Sequence, residues 1–146
     1  MCIGYDIPLV IHTGWNSGDP EAAKYNDPKY IVKIAERYND LKIIICHYFW
    51  PEVEYCYELT IEYNNIYFDI SALGDPEVQE TTGLDKIIKV LEKTVFKNPN
   101  RLLFGTDYGM CSIKNHSELI NELDISDEDR KKVFYKNAVD VFDLEI

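Results

Sequence analysis

The chain has 146 residues, and its 15 Lys and Arg stand against 26 Asp and Glu, a formal charge of −11 at neutral pH. Nucleic acid and anionic membrane surfaces both need clustered cations, so this balance argues against either as a partner. With 46% apolar and 28% charged residues the composition is that of a soluble globular domain. No apolar run approaches the ~20 residues of a membrane-spanning helix.

The opening MCIGYDIPLV has no basic segment and no small-residue cleavage site, so it does not read as a signal peptide. Residues 7–12 (IPLVIH) form a nearly all-apolar run of strand length. The next segment, 28–38, places Ile31, Ile34, Ala35 and Tyr38 at helical spacing behind Pro28, which suits a first helical turn. A second apolar, β-branched run covers 41–47 (LKIIICH), and a helical pattern over 51–63 follows it. The third strand is expected at 66–70 (IYFDI). A third helix over 84–96 carries the stripe Ile87, Ile88, Leu91 and Val95. The fourth strand is expected at 101–104 (RLLF), then a short helix near 117–123. A last helix is expected from the N-cap Ser126, with Asp129 in the capping-box position.

Strands apolar on both faces that alternate with helices imply a parallel sheet covered by helices. No linker-like or low-complexity stretch divides the chain, so residues 1–146 are expected to form a single domain. The four cysteines, Cys2, Cys46, Cys56 and Cys111, are widely spaced and make no CxxC pair. They read as reduced, mostly buried thiols of a cytoplasmic protein. No glycine pattern supports nucleotide binding.

Parallel α/β architectures bring the carboxyl ends of their strands to one rim, where ligands bind. His12 and His47 end the first two runs, Asp69 lies near the end of the third, and Asp107 follows the fourth. They are therefore expected to converge, and two imidazoles with carboxylates suit a divalent ion and acid–base chemistry. Asp69 is equally suited to hydrogen-bonding loop amides. His116, in KNHSE, reads as an exposed residue at a helix start. Strand alternation turns Cys46 to the face opposite His47. Trp15, Tyr48, Phe49, Trp50 and Tyr108 follow strand ends and could either line an apolar pocket or pack within the loops.

The blocks IPLVIHTG, LKIIICH, NNIYFDIS, RLLFGTDYG and KNAVDVF, in this order, closely resemble the second half of the amidohydrolase-2 group of metal-dependent hydrolases. That group includes aminocarboxymuconate-semialdehyde decarboxylase and related aromatic-acid decarboxylases. The resemblance implies an α/β fold, the C-terminal half of a (β/α)8 TIM-like barrel, with four parallel strands alternating with helices. It implies a divalent metal, usually zinc, at the rim. Matched block by block, His12 corresponds to a metal ligand ending strand five. His47 corresponds to the strand-six histidine, a second ligand or the general acid/base, and Asp107 to the carboxylate after strand eight. Asp69 matches an acidic strand-seven position. Catalysis is thereby expected from His47 and Asp107, and metal ligation from His12, His47 and Asp107.

The chain also departs from the family. It has three histidines and no HxH pair, where the family opens with two ligands on strand one. Residues 1–5 read like the end of the helix before strand five. Tyr48 and Phe49 replace a small-residue turn, and Gly109 stands where proline is common. The expected activity is metal-dependent hydrolysis of a small-molecule substrate by water activated at the ion. The alternatives are metal-dependent decarboxylation of a small carboxylated aromatic or unsaturated acid, and a non-catalytic remnant or half-barrel partner subunit. A half-barrel leaves two sheet edges and an apolar face open, so either a homo-oligomer or a missing N-terminal half is the expected partner, or the four strands open into a sheet covered on both faces.

Overall fold

The computed structural model describes residues 1–16 and 19–145. The elements in order are α1 (Cys2–Tyr5), β1 (Leu9–Ile11), a 3-10 turn (Pro20–Lys24), α2 (Pro28–Arg37) and β2 (Ile43–Ile45). After a turn at Cys46–Phe49 come α3 (Val53–Thr60), β3 (Ile66–Asp69), α4 (Pro76–Thr82), α5 (Leu84–Lys97) and β4 (Leu102–Leu103). The chain finishes with α6 (Ile113–Glu122), α7 (Asp127–Lys131), a π-helical turn (Lys132–Lys136) and α8 (Asn137–Phe142).

All four strands are parallel, in the spatial order β1-β2-β3-β4. They alternate with helices and form half of a TIM barrel. In-register neighbours share a face. Leu9, Ile43 and Ile66 form one row, and Ile11, Ile45, Phe68 and Leu102 the next. These rows meet α2, α3 and α5 through Ile31, Ala35, Val53, Cys56, Ile87 and Leu91, giving one continuous core. The opposite face carries Val10, Ile44, Tyr67 and Leu103. Here Ala138 and Val141 of α8 pack on Ile44, Tyr67 and Leu103 and bury much of it. The Lys42 ammonium donates to the Val141 carbonyl (3.3 Å) and fixes that end of the helix. Of the expected ways to cover this face, the structure shows the doubly covered sheet in part, the chain's own last helix closing it over Ile44, Tyr67 and Leu103. Val10, on the edge strand, stays 51% exposed.

Buried polar groups lock the layers. Arg101, 2% exposed, donates to the carbonyls of Thr60, Ile61 and Ile66. It thereby satisfies the C-terminal end of α3, whose last carbonyls lack helical partners. Asn65 does the same for α2, donating to Ala35, Tyr38 and Leu41 carbonyls. Asn137, of the KNAVDVF block, donates to the carbonyls of Pro99 and Leu102 and ties α8 to β4.

Each strand is shorter than its apolar run; beyond β1 and β2 the run continues into a turn that carries His12 or His47. Helix α4 was not expected, although Asp75 caps it by accepting from Glu77 N–H ahead of Pro76. The same Asp-Pro start opens α2 at Asp27 and Pro28. Helix α6 begins at Ile113, capped by Ser112, rather than near 117. Ser126 caps the last helical stretch as expected, its hydroxyl accepting from Asp129 N–H and donating to the Asp129 carboxylate. That stretch is divided because the Val133 carbonyl accepts from Phe104 N–H (2.9 Å) just beyond β4. A π turn accommodates the diverted bond.

Candidate active site at the strand tips

The tip of β1 is the short sequence His12-Thr13-Gly14. Thr13 is fully buried. Its hydroxyl donates to the Cys46 carbonyl (2.6 Å) and accepts from Phe49 N–H (3.0 Å), stitching the first tip to the second. Gly14 has φ +85°, and a β-carbon there would lie 2.3 Å from the Trp50 carbonyl oxygen. Only glycine allows this approach. Asn26 holds the same turn, accepting from Gly14 N–H (3.0 Å) and donating to its carbonyl (3.1 Å).

Beyond β2, His47, Tyr48 and Phe49 take left-handed backbone angles, with φ of 61°, 51° and 56°. A non-glycine residue in this region costs roughly 1–2 kcal/mol. Such strain persists where the surroundings over-determine it, and it collects at functional sites. Here the Asp69 carboxylate accepts from His47 N–H (3.0 Å), Thr13 from Phe49 N–H, and the His47 carbonyl from Trp50 N–H (2.9 Å). The Tyr48 ring is fully buried and stacks on Phe68 with centroids 4.5 Å apart. Its hydroxyl donates to Thr94 Oγ1 (2.6 Å), whose own proton goes to the Val90 carbonyl. Burial drives the Tyr48 phenol well above its ordinary pKa.

His47 and His12 come together, with ring centroids 4.9 Å apart in an edge-to-face arrangement. His12 stands exposed at the rim, yet its pKa is pulled below the usual imidazole value. Partial desolvation is the main cause and His47 the second, while Asp107 opposes both. His12 therefore lies within electrostatic reach of both His47 and Asp107. His47 Nδ1 lies 2.8 Å from Ser71 Oγ and 3.1 Å from the Ser71 carbonyl oxygen. The Ser71 hydroxyl donates to Asp69 Oδ1, which also accepts from Ser71 N–H (3.0 Å). Asp69 is thus a brace for loop amides. Asp107 is exposed, in a left-handed turn at φ 57°. It borders a cleft of about 530 Å³ lined also by Asp75, Glu77, Val78, Met110 and Cys111.

The donor chemistry, two imidazoles and a carboxylate, suits a borderline divalent ion. As they stand the three form an open set: among the described residues no three His, Cys, Asp or Glu side chains are grouped to hold a metal ion.

Three expectations change. His116 is fully buried, not exposed. Its Nδ1 pairs with the Ser112 carbonyl (2.8 Å) and its Nε2 accepts from Gly74 N–H (3.2 Å). Its backbone also presses on Gly74, where a β-carbon would sit 2.7 Å from His116 Cα. Cys46 is only partly buried and does not turn away from the rim. Burial, then the Asp69 and Asp107 carboxylates, push its thiol pKa up. Only Cys56 of the four free thiols is fully buried, because the others sit at turns and ends rather than inside the layers. Of the aromatic residues, Tyr48 and Phe49 belong to the core, Trp15 and Trp50 pack edge to face, and Tyr108 is 88% exposed, so they form no common pocket. The roles of Thr13, Ser71 and Asn26 were not foreseen; the hints were Thr-Gly directly behind His12 and Ser71 shortly after Asp69.

A family model described as amidohydrolase matches residues 1–144. Among solved structures, an uncharacterised TIM-barrel protein from Bordetella bronchiseptica is 25% identical, with a TM-score of 0.75 over 96% of this chain and 47% of that one. A dihydroxybenzoic acid decarboxylase from Polaromonas sp. JS666, bound to manganese and the inhibitor 2-nitroresorcinol, is 19% identical, with a TM-score of 0.61 over 98% of this chain and 52% of that one. A dihydroorotase from Campylobacter jejuni is 20% identical, with a TM-score of 0.64 over 99% and 50%. The chain spans about half the length of these proteins. No curated protein matches it significantly. Among the described residues no helix is long and apolar enough to cross a membrane.

Proposed function

Since this chain belongs to the amidohydrolase family, we propose that residues 1–146 act as one unit carrying the strand-tip half of a metal-dependent hydrolase site. The observation that carries the reading is the approach of His47 to His12, with Asp107 close enough to influence His12. His12, His47 and Asp107 are the residues that would hold a divalent ion, zinc by the family resemblance or manganese as in the Polaromonas relative. Held there, such an ion would supply positive charge to polarise a carbonyl and make water more acidic.

The chain's own residues then divide the remaining work. His47 is held at Nδ1 and at its backbone N–H, so Nε2 is its one free nitrogen: it serves either as the third ligand or, where His12 and Asp107 alone hold the ion, as the atom that takes a proton from water and returns it to a leaving group. His12, with its pKa pulled down, stays neutral at pH 7 and keeps a lone pair to share. Asp107 offers a carboxylate beside them.

Hydrolysis of a small substrate without a carboxylate is favoured by the arginines. Arg101 and Arg130 are spent on backbone carbonyls, and Arg37, the last residue of α2, lies over the Tyr38 ring. The cleft beside Asp107 carries Asp75 and Glu77. The second reading, decarboxylation, is favoured by the decarboxylase relative, which shares the fold. We place the protein in the cytoplasm. Along the exposed β1 edge we propose a second copy or a further half-barrel as its partner.

Calorimetric titration of metal-free protein with zinc and with manganese, followed by parallel assays, tests this reading. One assay follows amide and ester hydrolysis and the other CO2 release from dihydroxybenzoate. Saturable binding that is lost in a His12→Ala, Asp107→Asn double variant supports the site, and the active assay selects the reaction. Binding that survives the double variant overturns it. Saturable binding at the site with neither activity would favour the partner-subunit alternative.

A further inference from the structure

His47 is reached by a second residue pair whose bonding is ordered in one direction. The Asp69 carboxylate can only accept. It takes the hydroxyl proton of Ser71 as well as the N–H groups of His47 and Ser71. With its proton committed to Asp69, Ser71 Oγ has only lone pairs to offer the imidazole 2.8 Å away. The Ser71 carbonyl oxygen, 3.1 Å from the same Nδ1, is an acceptor under all conditions. Both partners therefore require the proton on Nδ1. No hydrogen bond reaches His47 Nε2 among the described residues, and its ring stands against His12. A free neutral histidine prefers the opposite tautomer, with its proton on Nε2, so the protein has to impose the choice.

We propose that Ser71 and Asp69 are positioning residues that hold His47 in its Nδ1–H tautomer, presenting a bare Nε2 to the rim. This rests on the reading of His47 as the proton-moving group, but the tautomer itself can be measured without metal, substrate or activity. The arrangement is sturdy because Ser71 is almost fully buried and one carboxylate oxygen fixes both the loop amide and the hydroxyl. Its function would be to make the rim-facing nitrogen an acceptor before anything binds. A misplaced proton there would block both ligation and base catalysis.

The test is a long-range 1H–15N correlation spectrum of the imidazoles, recorded on the metal-free chain at a pH where His47 is neutral. His116, tied through both ring nitrogens to Ser112 and Gly74, serves as the internal reference. In the wild type the His47 Nε2 signal is expected at the position of an unprotonated nitrogen. In Ser71→Ala only the longer carbonyl contact remains, so that signal should move toward the protonated position. Ser71→Thr, which keeps the hydroxyl, should restore it, and His116 should stay unmoved throughout. A wild-type His47 with its proton on Nε2 overturns the proposal. So does a Ser71→Ala protein in which neither His47 nor His116 changes. Should Ser71→Ala fail to fold, with the His116 signals lost, the wild-type spectrum decides alone. Loss of metal binding with the Nδ1–H tautomer intact would count against the functional reading and leave the positioning role standing.

Discussion

At His116 both ring nitrogens are spent inside the fold, one on the Ser112 carbonyl and the other on Gly74 N–H. At His47 only Nδ1 is held, by Ser71, no hydrogen bond reaches the other nitrogen among the described residues, and the ring lies edge to face with His12. The two rings have similar anchors at one end and differ by a single hydrogen bond at the other. That bond separates an imidazole that stabilises the packing of α6 on the loop before α4 from one that keeps an uncommitted ring nitrogen. The backbone tells the same story. His116 sits in a regular helix, whereas His47 opens three consecutive left-handed residues that only tertiary contacts sustain.

Substitutions can break this comparison, and the largest effect is expected where the His47 turn meets the first strand tip. Gly14→Ala combines a positive φ with a β-carbon 2.3 Å from a backbone oxygen. It should lower stability by about 3–4 kcal/mol in urea unfolding, above the usual range for overpacking because backbone cannot step aside. His116→Ala should follow at about 3 kcal/mol, from the cavity plus an orphaned Gly74 N–H. His47→Ala should cost under about 1 kcal/mol by the same measurement, since the ring is only half-buried and is anchored through one nitrogen. Equal losses at the two histidines would erase the distinction. Thr13→Val keeps shape but strands the Phe49 N–H and frees the Cys46 carbonyl, and about 2 kcal/mol is expected. Amide exchange should quicken at 46–50 and not around 116.

The smallest effect is electrostatic. His12 should titrate below 6.5 in an NMR pH series, and Asp107→Asn should move it further down, because Asp107 is the group that raises it. Its pKa is lower folded than unfolded, so the unfolded chain binds the proton more readily. The sign follows: this residue weakens the fold as pH falls from 6.5 toward its folded pKa, and has no such effect above 6.5.

Much of this architecture was legible in the sequence because it rests on local pattern. The apolar runs located all four strands, and the rule that parallel strands deliver their tips to one rim brought His12 and His47 together. The family blocks fixed the order. What could not be read depends on contacts distant in the chain. The burial of His116 comes from Gly74, some forty residues away, whose missing side chain makes room for the helix. The left-handed path of 47–49 contains no glycine to signal it and is imposed by Thr13 and Asp69. The π turn in the last helix follows from one carbonyl, Val133, claimed by Phe104. Helix α4 differs in kind: its Asp-Pro start was visible and repeats the start of α2.

The central claim is that His12, His47 and Asp107 serve one site while His116 serves the fold. Adding substoichiometric manganese and recording the imidazole NMR signals tests it most directly, since a paramagnetic ion broadens its neighbours. The account predicts selective loss of the His12 and His47 signals, with His116 spared, and no loss in Asp107→Asn at the same manganese concentration. Broadening of His116 equal to that of His47, or His12 and His47 signals that survive saturating manganese, would contradict it.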